Sequence, residues 1–192
     1  MSRRAISVAR GDVRDRGIAL VVVTLAIALM GALGAAIVLT TSSEAQIAAR
    51  FRTSEEALYA ADAAAEWALA DLSAAPDWVA VAGGGAVSTF ADGAARGTRT
   101  IVDGSVVDLD AVRARNGGWH LYGYGRLADL VAPADRASAF YVTVFVAADP
   151  LEADRLNLHA EAFGPRGAHR VVEVNLSRQP AGARLESWAD IR

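Results

Sequence analysis

The sequence predicts an α+β protein in which one long N-terminal helix, apolar all round in its first half and amphipathic in its second, packs on a small antiparallel β-sheet. Three observations lead there. Ile18–Leu39 is an unbroken apolar run of 22 residues with Thr24 as its one polar side chain. No proline occurs between Ile18 and Ala75, and after Leu39 the apolar residues recur at intervals of three and four. From Thr98 onward the apolar period shifts toward two, with turn signals at Asp103-Gly104 and Asn116-Gly117.

As a helix, Ile18–Leu39 spans about 33 Å, enough to cross a bilayer. It exceeds the apolar region of roughly 7–15 residues in an ordinary secretory signal. Residues 1–17 hold Arg3, Arg4, Arg10, Arg14 and Arg16 against Asp12 and Asp15, a balance of +3. The other 14 arginines and 20 acids give −6. By the positive-inside rule the basic flank stays cytoplasmic and everything after Leu39 lies across the membrane. No basic stripe is available there to neutralise phosphates, so no nucleic-acid partner is expected. The chain has no cysteine, which removes disulfides and thiolate metal sites.

The amphipathic half of the helix covers residues 40–75. Ile47, Phe51, Leu58, Ala61, Ala65, Ala68 or Leu69, and Leu72 fall on one stripe, while Arg50, Arg52, Glu55, Glu56, Asp62, Glu66 and Asp71 mostly lie off it. The alanines raise helix propensity. From about Ile18 to Ala74 the helix would be on the order of 85 Å long, a rod suited to a filament or a stalk. It ends near Ala75 because Pro76 lacks an amide donor and disfavours helical geometry before it. Residues 76–97 read as a linker, with a flexible glycine-rich connection over Val81–Ala86. Gly83–Gly85 lack the lysine and hydroxyl of a phosphate loop.

Residues 98–178 are the expected sheet domain, with strands at Thr98–Val102, Ser105–Leu109, Trp119–Leu127, Ser138–Ala147, Arg155–Phe163 and Ala168–Ser177. Asp103-Gly104 is sized for a two-residue hairpin. Leu156, Leu158, Ala160 and Ala162 alternate with polar neighbours, as do Val172, Val174 and Leu176, around a bend at Gly164–Gly167. That alternation predicts one buried face and one wet face. Residues 179–192 read as a loosely packed tail with Trp188 as its anchor.

The sequence offers little for catalysis. His120 and His159 lie in strand patterns and His169 beside a turn, with no zinc-protease or nucleophile-elbow motif. No enzyme activity, cofactor or metal is expected. Asp149, Glu152 and Asp154 offer oxygen ligands for calcium without EF-hand spacing, and their ordinary reading is a solvated acidic loop. Trp119, Tyr122 and Tyr124 beside Gly123 and Gly125 are read as sheet core in preference to an adhesive surface.

Two features carry a family resemblance. Arg16-Gly17-Ile18-Ala19-Leu20, a basic leader ending in glycine before an apolar run, resembles the processing site of type IV prepilins. Glu44–Leu72, with Ala48, Arg50, Arg52 and the run YAADAAAEWALADL, is similar to the N-terminal region of PilX-type minor pilins, with Asp62 where their alanine-rich motif commonly has glutamate. The resemblance covers residues 16–72 closely and the rest in general layout, and it implies a pilin-like fold. It also implies a leader over 1–17, cleavage after Gly17 by prepilin peptidase, methylation of the new amino terminus on Ile18, and assembly into a type IV pilus through the helix. The implied partners are the inner membrane, the peptidase, other minor and major pilins, and a tip adhesin. The implied location is a single-pass bacterial inner-membrane protein with its C-terminal domain in the periplasm, then the pilus at the cell surface. Gly31 and Gly34 give the membrane helix a small-residue face for close packing. Val22 occupies the fifth mature position, where major pilins usually carry glutamate to neutralise a neighbour's amine. An unpaired ammonium in an apolar interior costs several kcal/mol, so Val22 suits a tip or initiating subunit. Alternatives are a type II secretion pseudopilin and an unprocessed single-span periplasmic binding protein.

Overall fold

The computed structural model describes residues 13–130, 138–152, 154–180 and 182–191, with side chains from Gly17. The chain divides into two compact units, Met1–Ala48 and Ala49–Arg192. Residues 1–12 of the expected leader lie outside the described residues. Helix α1 runs without interruption over Val13–Ala74, beginning earlier than the expected Ile18 and ending just before Pro76 as proline chemistry requires.

In the first unit the large apolar side chains from Ile18 to Leu39 are 55–74% exposed. Hydroxyls within α1 are folded back onto its own carbonyls. Thr24 Oγ1 donates to Leu20 and Val21, Thr40 to Ala36 and Thr41 to Ile37, at 2.9–3.0 Å. Such back-bonding is how a helix carries hydroxyls through apolar surroundings.

In the second unit, α1 lies on a five-stranded antiparallel sheet of order β3-β4-β5-β6-β7. Its strands are β3 (His120–Arg126), β4 (Tyr141–Ala148), β5 (Arg155–Phe163), β6 (His169–Gln179) and β7 (Gly182–Ile191). The α+β arrangement expected from the sequence is therefore present. The contact is built from Ala57, Ala60, Ala61, Ala64, Ala65, Ala68 and Leu72 against Val142, Val144, Val146, Leu158, Ala160, Val172 and Leu176. Methyl side chains let the helix sit close to the sheet, and fully burying one leucine such as Leu72 contributes about 1.5–3 kcal/mol. The buried stripe begins at Ala57. Ile47 and Phe51, placed on that stripe by periodicity, are each 67% exposed. Arg50, Thr53 and Ser54, not Phe51, face the polar turn at Pro165–Ala168, so Phe51 lies off the side of the helix that continues the alanine stripe.

The opposite face of the sheet is not simply wet. Strands β1 (Thr98–Thr100) and β2 (Val106–Asp108) form a separate antiparallel pair, followed by helix α3 (Leu109–Arg115). Ile101, Val107, Leu109 and Val112 pack there with Tyr124, Tyr141 and Phe145 in a second core. Every residue from Tyr141 to Val146 is consequently buried. The β1–β2 turn runs from Ile101 to Ser105 with Gly104 at φ +85°, longer than the expected two-residue hairpin.

Two further departures concern residues 76–97 and 179–192. The linker contains helix α2 (Trp78–Ala82), started by Asp77, whose carboxylate accepts from the Val79 and Ala80 amides at 2.9 and 3.1 Å. Val81 is 2% exposed, so the chain here is core and not a flexible connection. Beyond it, residues 88–92 bond to β3 through Ser88 N to Tyr122 O, Tyr124 N to Phe90 O and Asp92 N to Tyr124 O. The expected tail is β7, a ten-residue strand paired with β6 along its whole length and bulged where Asn175 gives way to Leu176. Pairing with β6 satisfies one side of its backbone, which a loose tail would leave to water.

Candidate functional site

The residues singled out for assembly all lie on α1. Gly17, Ile18, Val22, Gly31 and Gly34 are helical, with Ile18 64% and Val22 59% exposed. A methyl group added at Gly17, Gly31 or Gly34 would meet nothing within 4 Å, so these glycines leave room open on the helix surface. By length and composition α1 includes a stretch able to cross a membrane, and a signal sequence near an N-terminus passes the same test. So much apolar area in water would oppose solubility, and it calls for a bilayer or other apolar helices as cover.

The aromatic cluster on β3 is structural. A bulge between Leu121 and Gly123 turns Tyr122 and Gly123 toward α1, while Tyr124 faces the second core. Tyr122 and Tyr124 are each 4% exposed. The Tyr122 hydroxyl donates to Asp71 Oδ2 at 2.6 Å, and burial, reinforced by that carboxylate, pushes its phenol above the ordinary tyrosine range. Gly123 and Gly125 admit the Trp67 and Phe90 rings, which approach to 3.1 and 2.8 Å of where a Cβ would stand.

The densest polar cluster lies on the outer face of β5. Glu161, its side chain only 3% exposed, accepts from His169 Nε2 at 2.8 Å and from Asn116 Nδ2. His159 Nε2 stands 3.5 Å away and Arg115 Nη2 3.6 Å. His159 Nδ1 lies 3.0 Å from Glu173 Oε1, with the Trp119 and Phe145 rings beside the imidazole. Burial alone would raise the Glu161 carboxyl. Hydrogen bonds from His159, His169 and Asn116 outweigh it and bring the carboxyl down to about 2. For His159, burial would favour the neutral ring, but bonds to Glu161 and Glu173 raise its pKa above the ordinary value. Two of the three histidines are thus engaged in tying β6 to β5, while Asn116 and Arg115 bring the end of α3 to the same carboxylate. Alternation showed Glu161 on the outer face but not that α3 would bury it.

In the acidic loop, Asp149 Oδ1 accepts from the Leu151 and Glu152 amides at 2.8 and 3.2 Å, and Glu152 pairs with Arg155 at 3.0 Å. The Asp154 carbonyl accepts from Arg178 N. These acids serve a turn, and among the described residues no group of three or more histidine and acidic side chains is placed to hold a metal ion. Trp188, expected as an anchor, walls a groove of about 200 Å³ between α1 and β7 with Asp62, Leu69 and Leu185. Burial, with Glu66 and Asp190 nearby, raises the Asp62 carboxyl against a hydrogen bond from Trp188. No protein-family model, curated protein or solved structure matches the chain.

Proposed function

We propose that this chain is a structural subunit of the minor-pilin kind, processed after Gly17 by prepilin peptidase, methylated on Ile18 and assembled through α1 into a type IV pilus or related filament. The observation that carries the proposal is the division of labour along one uninterrupted helix. Its first half turns large apolar side chains outward and its second half is docked by alanines on an antiparallel sheet. Cover for the first half comes from the inner membrane before assembly and from the helices of other pilins after it, with Gly31 and Gly34 permitting close approach. The work is structural, not enzymatic: His159, His169 and Glu161 are bound to one another and to neighbouring elements. Val22 supports a tip or initiating position, because this subunit offers no carboxylate to a neighbour's amine. At that position the sheet unit faces other minor pilins or a tip adhesin.

Expression of the full chain with a type IV pilus system, with and without prepilin peptidase, tests this. The chain is expected in sheared filaments only when the peptidase is present. A chain that stays in the membrane fraction in both cases is an anchored protein and not a subunit.

A further inference from the structure

Before the alanine stripe begins, the sheet-facing side of α1 changes character. Arg50 and Ser54 stand two turns before Ala57 and Ala61, and Thr53 one turn before Ala57. Opposite them the turn Pro165–Gly167 forms the second wall of an open cavity of about 600 Å³, which no acidic side chain lines.

The arginines here differ from their neighbours. Arg52 pairs with Glu56 at 2.9 Å and Arg170 with Asp190 at 3.6 Å. Arg50 and Arg166 are exposed and form no ion pair among the described residues. Arg166 is also the only non-glycine residue among those described with positive φ, at 58°, a conformation that a side chain disfavours. Its amide is fixed by donating to Asp103 Oδ2 at 2.8 Å, so the turn is held in a form that glycine would adopt more readily. Ser54 Oγ accepts from Arg170 Nε at 3.0 Å, which leaves the hydroxyl proton to donate. The Thr53 proton is already given to the Ala49 carbonyl.

We propose that this cavity is a phosphate site, held by the Arg50 and Arg166 guanidinium groups with the Ser54 hydroxyl as a third donor. A carboxylate presents two oxygens in one plane, which a single guanidinium fork satisfies. Donors on two facing walls suit a tetrahedral group with oxygens in several directions. The phosphate comes either from a soluble anion or from a lipid headgroup. The site lies wholly within residues 49–192 and holds whether or not the chain enters a filament.

The test uses the full chain in dodecyl maltoside micelles, whose headgroups carry no phosphate, following arginine side-chain Nε–H signals by NMR while inorganic phosphate is added. Arg50 and Arg166 signals are expected to shift saturably, with Arg52 unmoved and no saturable shift from acetate at matched ionic strength. Arg166→Gly, which suits the positive φ and keeps the turn, is expected to weaken binding at least tenfold, and Arg52→Ala to leave it unchanged. In nanodiscs containing phosphatidylglycerol and no added phosphate, shifted Arg50 and Arg166 signals identify the lipid headgroup as the source. Shifts only on adding phosphate identify a soluble anion. No saturable shift from either source, an equal response to acetate, or undiminished binding by Arg166→Gly would overturn the proposal.

Discussion

The Tyr122 hydroxyl donates to the Asp71 carboxylate at 2.6 Å, joining the bulge of β3 to the last turn of the amphipathic half of α1. It is a side-chain hydrogen bond from the phenol of a 4%-exposed tyrosine to the helix that the sheet covers. Tyr122→Phe keeps the ring and removes the donor. A cost of about 1–2 kcal/mol is expected, in the range for a hydrogen bond to a charged group. Thermal unfolding of the full chain in detergent reads it, and an unchanged midpoint would mean that water serves Asp71 equally well.

Glu161 and His159 set opposite limits on the pH range of stability. The Glu161 carboxyl is held at about 2 against an ordinary 4.5, so its contribution is full above about pH 4.5 and is lost as pH falls toward 2. His159 is raised above 6.5, so its contribution is full below that value and is lost as pH climbs through the folded pKa. Stability is therefore expected to peak between about pH 4.5 and 6.5. Glu161→Ala, which strands His159, His169 and Asn116, is expected to cost about 2–4 kcal/mol and to flatten the acid limb of a stability profile. An acid limb of undiminished slope in the variant would place the titrating group elsewhere.

At Gly125 a Cβ would stand 2.8 Å from Phe90 Cζ. Gly125→Ala is expected to cost about 1–3 kcal/mol through displacement of that ring, as overpacked sites do. Gly31→Ala, which meets nothing, is expected to leave the unfolding midpoint of the same preparation within error.

On the proposed tip role, Val22→Glu supplies a carboxylate for a neighbouring subunit's amine. Labelled chain is expected at the filament tip before the substitution and along the shaft after it. An unchanged distribution along the shaft in both forms would remove the tip assignment.

How much of this was legible depended on period. β5 was readable to the residue because Leu156, Leu158, Ala160 and Ala162 alternate without interruption and all lie in the core. β7 was not. The bulge opposite Asn175 and Leu176 makes Ala183, Leu185 and Trp188 face one side at spacings of two and then three, so the strand has no constant period. Helices α2 and α3 were too short for a periodic signal. Each carried a local one in its cap, Asp77 directly after Pro76 and Asp108 before Leu109. The Glu161 cluster and the Arg50–Arg166 cavity join residues more than forty positions apart, and only the folded chain places them together. The apolar half of α1 was the most readable part, since a run of 22 residues with Thr24 as its one polar side chain needs no tertiary information.

The amino terminus of the protein bears most directly on the proposed assembly role. Intact-mass and peptide mass spectrometry of the full chain, expressed with and without prepilin peptidase, should find a chain beginning at methylated Ile18 only when the peptidase is present. A chain that still begins at Met1 in both cases, or one cut near Ala36, would contradict it.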